Sequence, residues 1–332
     1  GFGGYLQNFL AGIIEVPVIL LAILLVFVLS LLSFYGIKES ARFNVLFTII
    51  EVLGLVFIIY LGMGYIGSVN YFEMPRGFGG IFSAAALIFF AYLGFEEMAN
   101  IAEETKNARK TIPRAIVISL IVTTLIYILV SISVVSIMPW QALGESPAPL
   151  AEVAETAMPG SSPVFSFIAL FATLNTVLII LVVTSRMFYG MAKDTKLFKP
   201  LSLVHKKRRT PWVAVVVTMF LVMALTLIGD ISTVALVADL GAFIIFLTVN
   251  VSLIVLRYRK PNLERSFRVP LNIGRFPIIP AMGILTCIFM MLHFEWYIIL
   301  ATLIILLVGF VTFYTFDKLK KRSSRVSRRA TR

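Results

Sequence analysis

Nine apolar runs, at 16–35, 43–66, 78–96, 112–137, 162–190, 212–228, 231–256, 277–293 and 296–316, constrain this chain more than any other feature. Most approach the ~20 residues that an α-helix needs to cross bilayer hydrocarbon, where no water satisfies a stray N–H or C=O. With 59% of its 332 residues hydrophobic and 14% charged, the chain has too little polar surface for a water-facing domain. The pattern predicts an all-α polytopic membrane protein with nine full transmembrane helices. Gly1 to Phe9 reads as the outer end of a further helix, and Glu15 to Pro17 turns the chain into the first full span.

The connections alternate in charge. Lys38 and Arg42 follow the first span, and Lys106, Arg109, Lys110 and Arg114 follow the third. Eight cations from Arg186 to Arg209 follow the fifth, six from Arg257 to Arg275 follow the seventh, and eight more lie between Lys318 and Arg332. These regions hold 28 of the 29 basic residues and leave Arg76 alone on the other side. By the positive-inside rule those loops and the C-terminus are cytoplasmic, in a multi-pass protein of the cell membrane. The net charge of +12 would suggest nucleic acid in a soluble domain. Here its placement argues against a nucleic-acid partner and puts the tail on anionic membrane lipid or in solution.

The other side carries Glu73, Glu145, Glu152, Glu155, Asp230 and Glu295, in short turns and in the loop 138–161. Thr111 ahead of Pro113, Ser162 before Pro163 and Thr210 before Pro211 predict hydroxyl N-caps with proline in the first turn. There is no phosphate loop, nucleophile elbow or metal-spaced cluster. Cys287 is the single cysteine, and His205 and His293 are far apart, so no disulfide, metal, cofactor or enzymatic chemistry is expected.

The third run does not complete a clean span. It passes through Phe89-Phe90-Ala91-Tyr92-Leu93 to Gly94, then Phe95 and the paired carboxylates Glu96 and Glu97. A helix interrupted at mid-depth frees carbonyls that accept from an ammonium group and N–H groups that face an anion. Such breaks mark substrate sites in transporters. The plainer reading is a continuous helix ending near Leu93, with both glutamates among headgroups and Phe89, Phe90 and Phe95 packed on lipid or core. Glu96 either couples motion to protonation or caps the second half-helix. Glu103, Glu104 and Lys106 read as a solvated helix end.

Glu51 lies well inside the second run, where insertion of a charged carboxylate costs about 2.5–3.5 kcal/mol. It should therefore face the bundle interior, as a proton carrier, a sodium ligand or a hydrogen-bond partner. Asp239 and Asn175, with Thr176, lie at similar depth in other spans and either line a pathway or bridge helices. Thr184 and Ser185 offer hydroxyls to a cation or bond back to their own helix.

Further stretches complete a pattern: Gly36-Ile37-Lys38-Glu39-Ser40-Ala41-Arg42-Phe43-Asn44, Ala148-Pro149-Leu150-Ala151, and Thr184-Ser185-Arg186 with Gly190-Met191-Ala192-Lys193-Asp194. With the break and the opening Gly1-Phe2-Gly3-Gly4-Tyr5, the chain resembles the amino acid–polyamine–organocation permeases, and within them the bacterial and archaeal permeases related to cationic amino-acid transporters. The resemblance implies a twelve-helix fold in which helices 1–5 and 6–10 are inverted repeats around broken helices 1 and 6. It implies that this chain holds the end of helix 3 and helices 4–12. Residues 1–66 would then complete the first repeat, 67–256 form the second, 277–316 the last two helices and 317–332 the basic tail. Lacking helix 1, the chain would not transport by itself.

By the same resemblance, the carbonyls of Phe90, Ala91 and Leu93 beside Gly94 receive a substrate ammonium group, and Phe90 closes over it as a gate. Some relatives carry lysine where Glu51 stands. The implied activity is secondary active transport of amino acids by alternating access, through proton symport. Exchange against another amino acid or polyamine, sodium coupling, and a non-transporting receptor or accessory subunit are the alternatives.

Overall fold

The computed structural model describes residues 1–10, 13, 16–35, 41–96, 98, 105–195, 198–265 and 267–330. Each of the nine apolar runs holds a helix. The elements are α1 (Phe2–Phe9), α2 (Val18–Tyr35), α3 (Ala41–Gly62), α4 (Gly77–Ile88), α5 (Ala108–Ile137), α6 (Trp140–Glu145), α7 (Pro149–Ala157), α8 (Ser162–Thr195), α9 (Trp212–Thr226), α10 (Ile231–Arg259), α11 (Ile278–Met291) and α12 (Trp296–Ala330). A short antiparallel hairpin, β1 (Asn272–Ile273) and β2 (Phe276–Pro277), precedes α11.

Among the described residues, five helices are long and apolar enough to cross a membrane unaided: α2, α3 with its 3₁₀ extension to Tyr65, α5, α8 and α10. α11 and the start of α12 qualify together but bend by 116° at the turn between them. Two runs give shorter helices than a full span. α9 stops where Gly229, at φ +76°, turns the chain into the Asp230 cap of α10. α4 stops at the break described below.

The three expected hydroxyl caps give way to nearer or stronger partners. α5 starts at Ala108, so Thr111 lies inside it and donates to the Lys106 carbonyl at 3.1 Å. Thr210 donates to the carbonyl of Phe34 at 3.0 Å. Ser162 turns to Asn8, and Glu155 instead accepts from the backbone N–H groups of Gly160 and Ser162 at 2.8 and 2.9 Å. A carboxylate is the better acceptor there, and those donors, Gly160 foremost, hold its carboxyl below the usual range.

Packing divides the chain into two compact units. The first comprises Gly1–Tyr71, Ile126–Gly229 and Thr312–Arg332, and α8 is its spine, with α1, α2, α3, α7 and α9 against it. Small residues permit the closest approaches: a Cβ on Gly4 would stand 2.4 Å from the Pro147 carbonyl oxygen, and one on Gly62 2.3 Å from the Ser133 Cβ. Ala148, Ala151, Val153 and Ala154 are fully buried beside Ile58 and Phe165. The glycines near the N-terminus and the Ala148–Ala151 stretch are thus packing features. Asn8 accepts from Ser162 and from fully buried Ser166, at 3.2 and 2.9 Å, joining α1 to α8. Along α3, Val45, Leu46, Ile49, Leu53 and Tyr60 stay exposed, an apolar outer face suited to lipid.

The second unit comprises Phe72–Leu125 and Asp230–Val311. α10 packs on α11 and α4, over a core of Ala86, Leu240, Phe243, Cys287, Phe294 and Ile298. Asp230 fixes the start of α10. Its carboxylate accepts from the hydroxyl and backbone N–H of both Thr233 and Ser232, which pulls it down to about 2, the Thr233 hydroxyl contributing most.

Candidate functional site

The third run leaves helical geometry at the expected place, and the segment after Glu96 that would tell an interrupted span from one ending near Leu93 lies, apart from Met98, outside the described residues up to Thr105. α4 tightens after Ile88 into a 3₁₀ turn over Phe89–Tyr92, Leu93 is extended at φ −59° and ψ 142°, and Gly94 takes φ +114°. That φ is open to glycine and strained for any residue with a Cβ, so Gly94 is what lets the helix stop here. The Glu96 carboxylate folds back to accept the Gly94 N–H at 2.9 Å. That bond turns Glu96 back onto the preceding turn; the second half-helix that it was expected to cap lies outside the described residues, apart from Met98. The Phe90 carbonyl accepts from Leu93 N–H at 3.2 Å and keeps a second lone pair. Ala91 and Gly94 are exposed and Leu93 is half-buried. Glu97, Ala102, Glu103 and Glu104 lie outside the described residues, as do Gly36 to Ser40 of the second motif.

The three phenylalanines separate. Phe89 packs against Phe243 with ring centroids 4.6 Å apart, and Phe95 against Phe246 at 5.7 Å. Phe90 is 43% exposed beside them. The aromatic that the sequence nominated as gate is the one free of the core, and its neighbours anchor the break to α10.

On α10, Phe243 and Phe246 stand four and seven residues beyond Asp239, so all three share one helical face. Asp239 is fully buried, and neither carboxylate oxygen has a hydrogen-bond partner. The backbone amide of Phe90 reaches towards it without regular hydrogen-bond geometry. The sequence ranked Asp239 no higher than other mid-span polar groups. Its spacing from two phenylalanines was the available signal.

The remaining residues lie in the first unit. Glu51 is half-buried on α3, with Oε1 enclosed and without a partner. It follows Phe47, which stacks on Phe171 at 5.7 Å, and precedes Gly54, whose position faces Ile168. Glu51 therefore lies on the α3 face that meets α8, the inward placement its charge requires. Asn175 is half-buried on α8, and Thr176 bonds back to Ala172 at 3.0 Å. Ser185 is buried and donates to its own helix at Val182, 2.8 Å away, while Thr184 is half-buried beside it. Among the described residues, no group of His, Cys, Asp and Glu side chains could hold a metal ion.

A helical chain with several membrane-length apolar helices, and a shorter one that ends in a turn at Gly94, defines the class as a polytopic membrane protein. The chain belongs to the amino acid permease family, whose model matches residues 1–316. It is 34% identical over 335 residues to the branched-chain amino acid permease BcaP of Bacillus subtilis, covering 94% of this chain and 70% of that protein. It is 28% identical over 311 residues to the methylthioribose transporter of the same organism, covering 88% and 66%. A vacuolar cationic amino acid transporter 4 of Arabidopsis thaliana is 29% identical over 250 residues, covering 73% and 41%. The chain thus spans less than two thirds of the length of some of these relatives. The family is one of transporters, and enzymatic chemistry has no place in it.

Proposed function

We propose that the protein is a secondary active transporter of amino acids, working by alternating access and driven by proton symport. The observation that carries this is the glycine-centred break at Phe89–Glu96 within a chain of the amino acid permease family. In this reading the exposed backbone from Phe90 to Gly94 meets the α-ammonium group and Phe90 closes over the substrate. The nine helical runs correspond to family helices 4–12, residues 1–66 and 67–256 belong to two inverted repeats, and the basic loops and C-terminus face the cytoplasm. Glu51, inward-facing in a membrane-length helix, carries a coupling proton, and Glu96 accepts the Gly94 N–H. The α-amino acid is what the names of the branched-chain and cationic relatives share, so it is the substrate class proposed here.

Uptake of a labelled amino-acid mixture tests this, in proteoliposomes holding the protein expressed from its complete gene, with and without an inward proton gradient. Accumulation driven by the gradient is the expected result. Uptake indifferent to the gradient would remove symport, and no uptake under proton or sodium gradients would remove transport.

A further inference from the structure

We propose that Asp239 is a proton-binding residue of the transport site, protonated in the conformation seen here and coupled through its helix face to the break at Phe89–Phe95. The proposal rests on the transport reading for its role in coupling, but not for its protonation.

The first observation is enclosure. Asp239 has no exposed surface, and both of its oxygens lack a hydrogen-bond partner. An ionised carboxylate without a cation or a set of donors is among the costliest groups to bury. Four candidates could relieve it: a protein cation, a metal ion, a set of donors, or a proton. The elements packed against this part of α10 are α4, the 3₁₀ turn, α11, β2 and, through the shared core, the start of α12. Their titratable side chains are Tyr92 on the turn with Glu96 beyond it, Cys287 on α11, His293 and Glu295 in the turn between α11 and α12, and Tyr297 on α12; α4 and β2 have none. The His293 ring is turned to Phe82 and Phe289, with Nδ1 at the Phe289 carbonyl, and the two arginines of α10, Arg257 and Arg259, lie at its far end, so among the described residues no cation is paired with Asp239. A hard metal ion needs several oxygen ligands at once, and no metal-holding group of acidic, His or Cys side chains exists among the described residues. The Phe90 amide approaches without forming a regular hydrogen bond. A proton taken up on one carboxylate oxygen is the remaining way to neutralise the group.

The second observation is position. Asp239, Phe243 and Phe246 form one stripe of α10, and the two phenylalanines hold Phe89 and Phe95 on either side of the break. A rearrangement of the break during alternating access must shift the wall around Asp239. If one arrangement encloses the carboxylate and the other wets it, the proton binds more tightly to the first, and by linkage the proton favours that arrangement. The proton arrives from water when the site is open and leaves to water when it opens on the other side. No other bond changes.

The direct test is infrared spectroscopy of the complete protein in liposomes, reading the C=O stretch of a protonated carboxylic acid as pH is raised from neutral. A component of the band is expected to be lost in Asp239→Asn and retained in Glu51→Gln. A band unchanged by Asp239→Asn, or no such band in the wild type, would overturn the proposal whether or not the protein transports. The functional arm compares gradient-driven accumulation with counterflow exchange. Asn imitates the protonated acid, so Asp239→Asn should keep counterflow and lose the response to a proton gradient. Asp239→Glu should restore the infrared band and a gradient response with a displaced pH profile, which separates loss of a proton site from loss of fold. Intact gradient-driven accumulation in Asp239→Asn, or accumulation driven by sodium in its place, would sink the coupling role.

Discussion

The protein holds two carboxylates deep in apolar helices, and their surroundings differ. Asp239 is sealed on both oxygens and shares a helix face with the phenylalanines that grip a broken helix. Glu51 is half-buried, encloses one oxygen, and stands on the face where α3 meets α8. Depth along the span is similar, so depth does not rank them. What ranks them is whether the neighbours are rigidly packed helix or a segment whose backbone is already interrupted. Asp239 shares its helix face with rings that hold the turn at Phe89–Phe95, whereas Glu51 stands between two continuous helices.

Substitution of the carboxylates gives the largest expected contrast. Asp239→Asn should reduce gradient-driven accumulation to the level seen without a gradient, and Glu51→Gln should lower it only in part, both read as uptake in proteoliposomes. Equal losses would erase the distinction between the two sites. Next come two glycines, Gly94 in the turn after α4 and Gly62 on the helix of Glu51. Gly94→Ala meets no atom within 4 Å but must hold φ +114°, at a cost of about 1–3 kcal/mol, so it should straighten or shift the break and weaken uptake. Gly62→Ala, on the helix of Glu51, drives a Cβ to 2.3 Å from Ser133 and should lower thermal stability by about 1–3 kcal/mol while sparing the infrared band of Asp239. A Gly62→Ala protein that loses the band would mean that the two environments are not independent.

The smallest effect belongs to the first turn of the Asp239 helix. Removing the cap with Asp230→Ala should cost about 1 kcal/mol of stability at neutral pH. Because the folded carboxyl lies at about 2 against an ordinary 3.8, its contribution is complete above the ordinary value and fades as pH falls through about 2. Thermal unfolding of wild type and variant should therefore converge in acid. A gap that persists there would assign the loss to packing instead of the cap.

Much of this architecture was legible in the sequence, for identifiable reasons. Long apolar runs have one stable backbone solution in hydrocarbon, so all nine gave helices, and Gly94 between an apolar run and a carboxylate marked the interruption. Helix ends were less legible because partners distant in sequence decide them: the Ser162 hydroxyl goes to Asn8, and the Thr210 hydroxyl to the Phe34 carbonyl. The roles of Phe89, Phe90 and Phe95 were not separable from composition, since the distinction depends on which ring meets α10. Asp239 was undervalued for a related reason. A carboxylate at mid-span is visible in the sequence, but the enclosure of both oxygens arises only when α4, α10 and α11 close around it.

The most direct measurement of the central claim, that the backbone around Phe89–Glu96 binds the transported amino acid, is alkylation of a Phe90→Cys variant with Cys287 replaced, in liposomes, with and without amino acids. The account predicts that the exposed thiol reacts readily and that a transported amino acid slows its reaction, while an amino acid that is not transported does not. Labelling that proceeds at the same rate with every amino acid, in a protein that still takes them up, would place the substrate elsewhere and contradict the account.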